Sequence, residues 1–223
     1  MMQTTFQVDL VPTFYWPVHY AVTDSTLPLV SCIMPTANRH EFIPKSVQYF
    51  LRQDYPYKEL VIIDDGTESV SNLLPNIYSI RYFYLKPENT VGYKRNIACE
   101  KAAGSIIVHW DDDDWYAPNW ISHQVKTLIE NDAEICGLSH VQFYSVKRSR
   151  YYLTKNVDAT KHWLCCATLA YRKSFWNKHP FKHTQIGEDI FFSRNKAARV
   201  IAHNYLQGFL AIVHSTNVKI KEF

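Results

Sequence analysis

Four consecutive aspartates, Asp111 to Asp114, lie between aromatic residues in the stretch HWDDDDWY. Carboxylates about 4 Å apart repel each other by ~4 kcal/mol per pair at an effective dielectric constant of about 20. An aspartate-rich turn can instead satisfy backbone amides, which is the simpler interpretation for a single Asp. Because Asp64 and Asp65 form a second acidic pair, we favour a bound divalent cation. Mg²⁺ and Mn²⁺ take oxygen ligands and bridge carboxylates to phosphates.

Alternating strands and helices, which begin at Leu29, must position these aspartates. Short apolar runs rich in strand formers alternate with stretches whose apolar residues recur at helical spacing. The pattern predicts strands at 29–35, 60–65, 80–85 and 105–110, and helices at 42–53, 92–104 and 118–131. We expect Leu51 and Ile129 to face the core and Gly104 to cap the second helix. The alternation indicates an α/β fold, a Rossmann-like, mainly parallel sheet with helices on both faces.

The second half of the chain is less regular. HVQFYSV and RYYLT predict a β-hairpin, LCCATLAY and FLAIVH predict strands, and EDIFFSRNKAAR predicts a helix that two acids open. The length favours one domain, with residues 1–27 as an extended N-terminal arm. We expect a single domain over 28–223, divided softly into residues 28–131 and a smaller mixed region at 132–223.

The composition argues against several classes of protein. The net charge of +3 is too weak to predict a nucleic-acid surface, and no apolar run is long enough to cross a bilayer. Five cysteines without a CxxC pair argue against a disulfide framework, and His162 with Cys165 and Cys166 makes a poor zinc site. No GxxxxGK[ST], GxGxxG or HExxH motif is present. We expect a cytoplasmic protein without a transmembrane segment, for which peripheral membrane contact stays open.

Polar residues follow the predicted strands at one edge of the sheet. Pro35 and Thr36 end the first strand. Asp64 and Asp65 end the second, and the four aspartates end the fourth. In an open parallel sheet these ends meet along the edge where ligands bind. The carboxylates should therefore converge on a cation that holds the diphosphate of a nucleotide.

Three stretches resemble the successive motifs of family 2 glycosyltransferases of the GT-A fold. They are VSCIMPTANRHEFIPKSVQYFLRQDYPYKELVIIDDGTES, NTVGYKRNIACEKAAGSIIVHWDDDDWYAP and GEDIFF, and the similarity spans residues 28 to 195. The resemblance implies a metal-dependent inverting enzyme that moves a sugar from a nucleotide-diphosphate sugar to an acceptor hydroxyl. A UDP-sugar is the default donor that the family implies, and GDP, dTDP and CDP stay open as the nucleotide. It also implies a nucleotide-binding first half and an acceptor-binding second half.

The resemblance implies roles for individual residues. Those near the sugar nucleotide are Pro35, Thr36, Asn38, Asp64, Asp65, Lys94, Arg95, Asp111 and Asp112. The D-x-D motif maps onto Asp111 and Asp113 with a register ambiguous by one, and Asp113 is the first choice as metal ligand. In the E-D pair, Asp189 is the general base and Glu188 orients the acceptor or Asp189 itself. His214 is either a further metal ligand, which would favour Mn²⁺, or a structural histidine.

Trp115, beside the aspartates, is expected to line the donor pocket, although most tryptophans only pack a core. The short second half suggests a glycan, lipid-linked sugar or peptide acceptor that binds partly outside the protein. Two other function classes stay open. A sugar-phosphate nucleotidylyltransferase is disfavoured because PTANRHE stands where a glycine-rich loop would be. A non-catalytic sugar-nucleotide- or glycan-binding module would bind donor but never transfer it.

Overall fold

The computed structural model describes residues 27–87, 89–154 and 164–217, and it alternates strands with helices through the first half of the chain. The strands are β1 (Val30–Thr36), β2 (Lys58–Asp64), β3 (Ile80–Tyr84), β4 (Ile106–His109), β5 (Trp115–Tyr116), β6 (Ile135–Leu138), β7 (Val141–Ser145), β8 (Arg150–Thr154), β9 (Ala170–Arg172), β10 (Val200–His203) and β11 (Phe209–Val213). The helices are α1 (Ile43–Leu51), α2 (Val91–Lys101), α3 (Trp120–Glu130), α4 (Lys173–Lys178) and α5 (Glu188–Ser193).

One seven-stranded sheet runs through the molecule in the order β10-β6-β9-β4-β1-β2-β3. β1 pairs in parallel with both β2 and β4, and β2 pairs in parallel with β3. β9 lies antiparallel between β4 and β6. The mainly parallel sheet expected from the sequence is therefore confirmed. The carboxyl ends of β1, β2 and β4 share one edge, where Thr36 is in register with Asp64.

Alternate side chains of the sheet pack into two separate cores. In β2, Leu60 and Ile62 join the core that contains α1 and α3, whereas Val61 and Ile63 join the core that contains α2 and α5. All four side chains are fully buried, and burying an aliphatic side chain contributes about 1.5–3 kcal/mol. The sheet is thus covered on both faces, and β2 holds the acidic pair at its end firmly in place.

Three predicted details of the helices are wrong. Leu51 and Ile129 are 42% and 49% exposed, because the neighbouring turns of α1 and α3 direct other apolar residues inward. Gly104 does not cap α2, which already ends at Lys101. A Cβ at Gly104 would lie 2.6 Å from the carbonyl oxygen of Leu29, so glycine is needed there for close approach of two backbones.

A smaller four-stranded sheet, in the order β5-β11-β7-β8, joins β5 of the first half to three strands of the second half. The predicted hairpin is confirmed by antiparallel β7 and β8, and the predicted last strand by β11. The LCCATLAY segment contains a helical turn before β9, and α5 is shorter than predicted because it ends at Ser193. The sequence analysis missed β6 and β10, which pair with each other in parallel.

Among the residues that the structure describes, no disulfide joins any of the five cysteines. Within the described ranges, no helix is both long enough and apolar enough to cross a bilayer. His162, and all of the predicted arm except Leu27, lie outside the described residues.

Candidate active site

The ends of β1 and β4 are joined by a buried hydrogen bond. Thr36 Oγ1 donates to Asp112 Oδ2 at 2.5 Å, and both residues are nearly inaccessible to solvent. Burial, and next the neighbouring Asp113 carboxylate, raise the pKa of Asp112 to about 7. The parallel pairing of β1 with β4 creates this contact, because it brings the Pro-Thr segment beside the four aspartates.

The carboxylate of Asp113 gathers partners from both ends of the chain. Its Oδ2 atom lies 2.8 Å from Arg39 Nη1, 3.0 Å from His214 Nε2 and 3.2 Å from Asn217 Nδ2. The His214 ring also stacks on Phe42, with ring centroids 4.5 Å apart. These late residues arrive here because β5, directly after the aspartates, pairs with β11.

The residues around Asp113 fit a divalent cation. A carboxylate oxygen and an imidazole nitrogen meet at 3.0 Å, and a mixed oxygen and nitrogen donor set suits Mn²⁺ better than Mg²⁺. The Asp111 side chain is 28% exposed and can add a second carboxylate from the same loop. Arg39 and Arg95 already place positive charge on these two carboxylates. A divalent cation bound here would therefore share these carboxylates with the two arginines.

The second acidic pair divides between two tasks. Asp65 forms a buried ion pair with Lys94 at 2.6 Å, and Lys94 also donates to the Thr36 carbonyl oxygen at 3.1 Å. Asp64 is fully buried and accepts hydrogen bonds from the Gly66 amide, the Val70 amide and the Tyr82 hydroxyl. Its carboxylate thus holds the loop after β2, and its predicted nucleotide contact stays a prediction.

Asn38 shapes the same loop from the β1 side. Its backbone has φ 55°, and its Oδ1 accepts hydrogen bonds from both the amide and the hydroxyl of Thr67. A Cβ at Gly66 would lie 2.7 Å from the Asn38 amide nitrogen. The loops after β1 and β2 therefore contact each other directly, and half-buried Pro35 precedes them on β1.

Arg95 links the aspartate loop to the E-D pair. Its Nη1 lies 2.6 Å from Glu188 Oε1, and its Nη2 lies 3.4 Å from Asp111 Oδ1. Arg95 also contacts the Cys166 sulfur. Burial raises the pKa of Glu188, and the Arg95 charge opposes that increase. The guanidinium of Arg95 thus contacts both sides of the site, and its predicted nucleotide contact stays a prediction.

Asp189 is the second residue of α5, directly after Glu188, and is half-buried. Gly187, with φ 84°, turns the chain immediately before the helix, a conformation that favours glycine. The ligand atoms of Cys166, Glu188 and Asp189 lie within 4.8 Å of one another. The segment before α5 also packs tightly against α2. A Cβ at Gly92, in the first turn of α2, would overlap the Lys182 carbonyl oxygen.

Trp115 is half-buried on β5, where it pairs with Leu210. The residues that contact the aspartates or the E-D pair and were not predicted from the sequence include Arg39, Tyr116, Cys166 and Asn217. Tyr116 could have been predicted from the sequence, because it is only five residues from Asp111. Its hydroxyl accepts a hydrogen bond from the Asp111 amide at 2.7 Å. The other three carry no local signal, because strand pairing alone brings them to the site.

Solved structures with the same fold include two proteins of different origin. TarS of S. aureus, in complex with UDP, matches with a TM-score of 0.64 and 19% identity over 83% of this chain and 60% of the TarS chain. The mannosyltransferase PcManGT from Pyrobaculum calidifontis, in complex with GDP-Man and Mn²⁺, matches with a TM-score of 0.63 and 15% identity over 83% of this chain and 56% of that one. The expected GT-A fold is confirmed.

The family model for glycosyl transferase family 2 matches residues 31–204. The chain therefore belongs to this family, as the motifs implied. TuaG of Bacillus subtilis (strain 168), named for teichuronic acid biosynthesis, is 30% identical over 137 residues, which is 59% of this chain and 53% of TuaG. The chain spans about half the length, or less, of the first curated relatives that it matches.

Proposed function

We propose that the protein is a metal-dependent, inverting glycosyltransferase that uses a nucleotide-diphosphate sugar, with UDP as the first choice of nucleotide. The observation that carries the proposal is the position of Arg95, which contacts Asp111 of the aspartate loop and Glu188 of the E-D pair. A sugar held between these two groups would have its leaving diphosphate on one side and a base, Asp189, on the other.

The donor side of the proposal is residues 28–131. Thr36, Asn38 and Asp65 line the ends of β1 and β2, and Lys94 adds a buried positive charge next to them. The UDP bound to TarS and the GDP-Man bound to PcManGT support a nucleotide-sugar donor. A bound Mn²⁺ or Mg²⁺, held by Asp113, His214 and Asp111, would supply Lewis-acid stabilisation of charge on the diphosphate.

The acceptor side is residues 132–223. The acceptor oxygen forms a bond to the anomeric carbon on the face opposite the diphosphate, while the bond from that carbon to the diphosphate oxygen breaks. The acceptor proton passes to the Asp189 carboxylate. Glu188, fixed by Arg95 at 2.6 Å, positions Asp189 and the acceptor. The product has inverted configuration, because attack and departure occur on opposite faces.

The acceptor class is a glycan, a lipid-linked sugar or a peptide. We place the protein in the cytoplasm, and five cysteines without a disulfide among the described residues support a reducing compartment.

Thermal unfolding with nucleoside diphosphates, with and without Mn²⁺, tests the donor side. A ligand at about 100 times its Kd stabilises the fold by ~2.7 kcal/mol, so we expect one base to raise the Tm when Mn²⁺ is present. No shift with any nucleoside diphosphate would contradict the donor proposal.

Asp189→Asn tests the base. The variant should bind donor like the wild type and lose sugar transfer by about 10²-fold or more. A wild type that binds donor but transfers to none of the acceptor classes would be a binding module. An Asp189→Asn protein with full activity would exclude Asp189 as the base.

A further inference from the structure

Three large apolar side chains lie on the surface around α5. Ile186, Ile190 and Phe191 are 61%, 39% and 55% exposed. Single exposed apolar residues are normal on proteins, but a group of them marks an interaction site. Here all three fall within six residues, because α5 turns Phe192 into the core and leaves Ile190 and Phe191 largely on the surface.

Positive charge is concentrated in the same part of the chain. Residues 178–199 contain five of the 24 Lys and Arg residues and two of the 21 acidic residues. This segment therefore has a formal charge of +3, and the rest of the chain, with 19 of each sign, has none. The five basic residues are all exposed and form no ion pair within the described ranges: Lys178, Lys182, Arg194, Lys196 and Arg199.

Two of these cations lie close to the apolar residues in and beside α5. Lys182 Nζ lies 3.6 Å from the centroid of the Phe191 ring. Arg194 follows Ile190 by four residues, which is about one helical turn, and it directly follows the last residue of α5. The apolar group is therefore bordered by positive charge on two sides.

We propose that Ile186, Ile190, Phe191, Lys182 and Arg194 form a docking face for a bilayer that contains anionic phospholipids. Apolar side chains would enter the boundary between headgroups and acyl chains, while the cations stay at the phosphates. A second copy of the chain fits less well, because it would bring two surfaces of charge +3 together. A protein partner also fits less well, because Lys is depleted from the cores of protein interfaces.

The docking face determines how an acceptor reaches the site, a consequence that depends on the proposed function. Asp189 lies between Ile186 and Ile190 in sequence, so a chain docked through these residues would turn its base towards the bilayer. The acceptor hydroxyl would then belong to a membrane-bound saccharide. This selects the lipid-linked acceptor from the three classes above.

Sedimentation with lipid vesicles tests the docking face without any catalysis. The full chain should bind vesicles of phosphatidylcholine with phosphatidylglycerol, bind pure phosphatidylcholine weakly, and lose binding in high salt. Lys182→Gln/Arg194→Gln should weaken binding by about fivefold for each charge, the equivalent of ~1 kcal/mol. Ile186→Ser/Phe191→Ser should weaken it by about tenfold or more.

Matched control variants change the same kinds of residue elsewhere on the surface. Lys147→Gln/Arg150→Gln removes two exposed charges from the β7–β8 turn. Tyr78→Ser/Tyr151→Ser removes two rings that are 86% and 71% exposed. Both controls should bind vesicles within about twofold of the wild type, since neither pair lies on the proposed face.

Several results would overturn the docking face. These are absent binding, equal binding to the two kinds of vesicle, or equal losses in the control variants. If the wild type forms dimers and the Ile186→Ser/Phe191→Ser variant is monomeric, the face would be an interface with a second copy of the chain. Thermal shifts with nucleoside diphosphates, measured without vesicles, test the proposed function separately. Vesicle binding without any nucleotide effect would keep the docking face and contradict the transferase.

Discussion

Replacing Arg95 with methionine breaks the contact between the two sides of the site. The Arg95 and Glu188 side chains are only 4% and 5% exposed, and their charged atoms are 2.6 Å apart. Methionine keeps much of the apolar stem of arginine but removes its charge. Glu188 would then stay buried and lose the cation that pairs with it, while Asp111 would lose its contact at 3.4 Å.

The expected loss of stability is large. Breaking a buried ion pair by removal of one partner costs about 3–5 kcal/mol. At about 2–4 °C per kcal/mol for a protein of this size, the Tm of Arg95→Met should fall by about 6–20 °C. Arg95→Met/Glu188→Gln removes both charges and should recover most of that stability, with a coupling energy of about 2–3 kcal/mol. Sugar transfer should be lost in Arg95→Met and should stay lost in Arg95→Met/Glu188→Gln.

The loss should also depend on pH. Burial raises the pKa of Glu188, and removal of the Arg95 charge would raise this pKa further. A carboxyl group whose pKa is raised in the folded state stabilises the fold when protonated, and this stability is lost as pH rises through that pKa. Arg95→Met should therefore be more destabilising at about pH 8 than at about pH 5.

Urea denaturation of the wild type, both single variants and the double variant measures the coupling. Arg81→Met is the matched control, because Arg81 pairs with Glu59 at 3.1 Å but is 36% exposed. It should cost about 1 kcal/mol or less. The reasoning is refuted if Arg95→Met and Glu188→Gln add within about 0.5 kcal/mol, or if Arg81→Met costs as much as Arg95→Met.

Three further predictions concern residues around the site and its supporting core. Gly92→Ala should lower stability by about 1–3 kcal/mol in thermal unfolding, because its Cβ would overlap the Lys182 carbonyl oxygen. Burial, and next His123, lower the pKa of His203 to about 3. Neutral His203 contributes stability above pH ~6.5 that is lost as the pH falls, so relative to His203→Gln the wild type should lose about 2 kcal/mol between about pH 7 and 5. Thr36→Val removes the hydrogen bond to a buried carboxyl and should cost about 1–3 kcal/mol in urea.

Each of these has a result that would contradict it. If Gly92→Ala has the same Tm as the wild type, α2 can shift to make room for the added Cβ. A stability difference between the wild type and His203→Gln that stays constant between about pH 7 and 5 would reject the lowered pKa of His203. The control for Thr36→Val is Thr127→Val. The Thr127 hydroxyl donates to a backbone carbonyl oxygen at 2.9 Å instead of to a carboxylate. An equal cost for the two would show that the contact with Asp112 has no special strength.

The first half of the fold could be predicted because its strands are continuous apolar runs. β2 is buried on both faces, so its sequence lacks the alternation of a surface strand and is distinct from the helices beside it. Once the parallel sheet is inferred, its topology places Thr36, Asp65 and the four aspartates at one edge. That convergence was a consequence of pairing rules, and the registers of β1 with β2 and β4 agree with it.

The second half could not be predicted to the same depth, because its contacts join distant parts of the chain. β6 and β10 have four residues each and pair across more than sixty residues, which leaves no local pattern to detect. Arg39 follows β1 in a loop without periodicity, and only the structure brings its guanidinium to Asp113. Gly104 shows the related difficulty, since a glycine needed for close approach and one needed for a left-handed turn look alike in sequence.

The pairing of β11 with β5 has a consequence for local unfolding of the protein. Asp113 and His214 are separated by 101 residues yet lie 3.0 Å apart. Any ligand that holds both would fasten the last described strand to the centre of the chain, so amide hydrogens of β11 should exchange more slowly when it binds. Hydrogen exchange of β11 would thereby report whether a ligand is bound at Asp113 and His214.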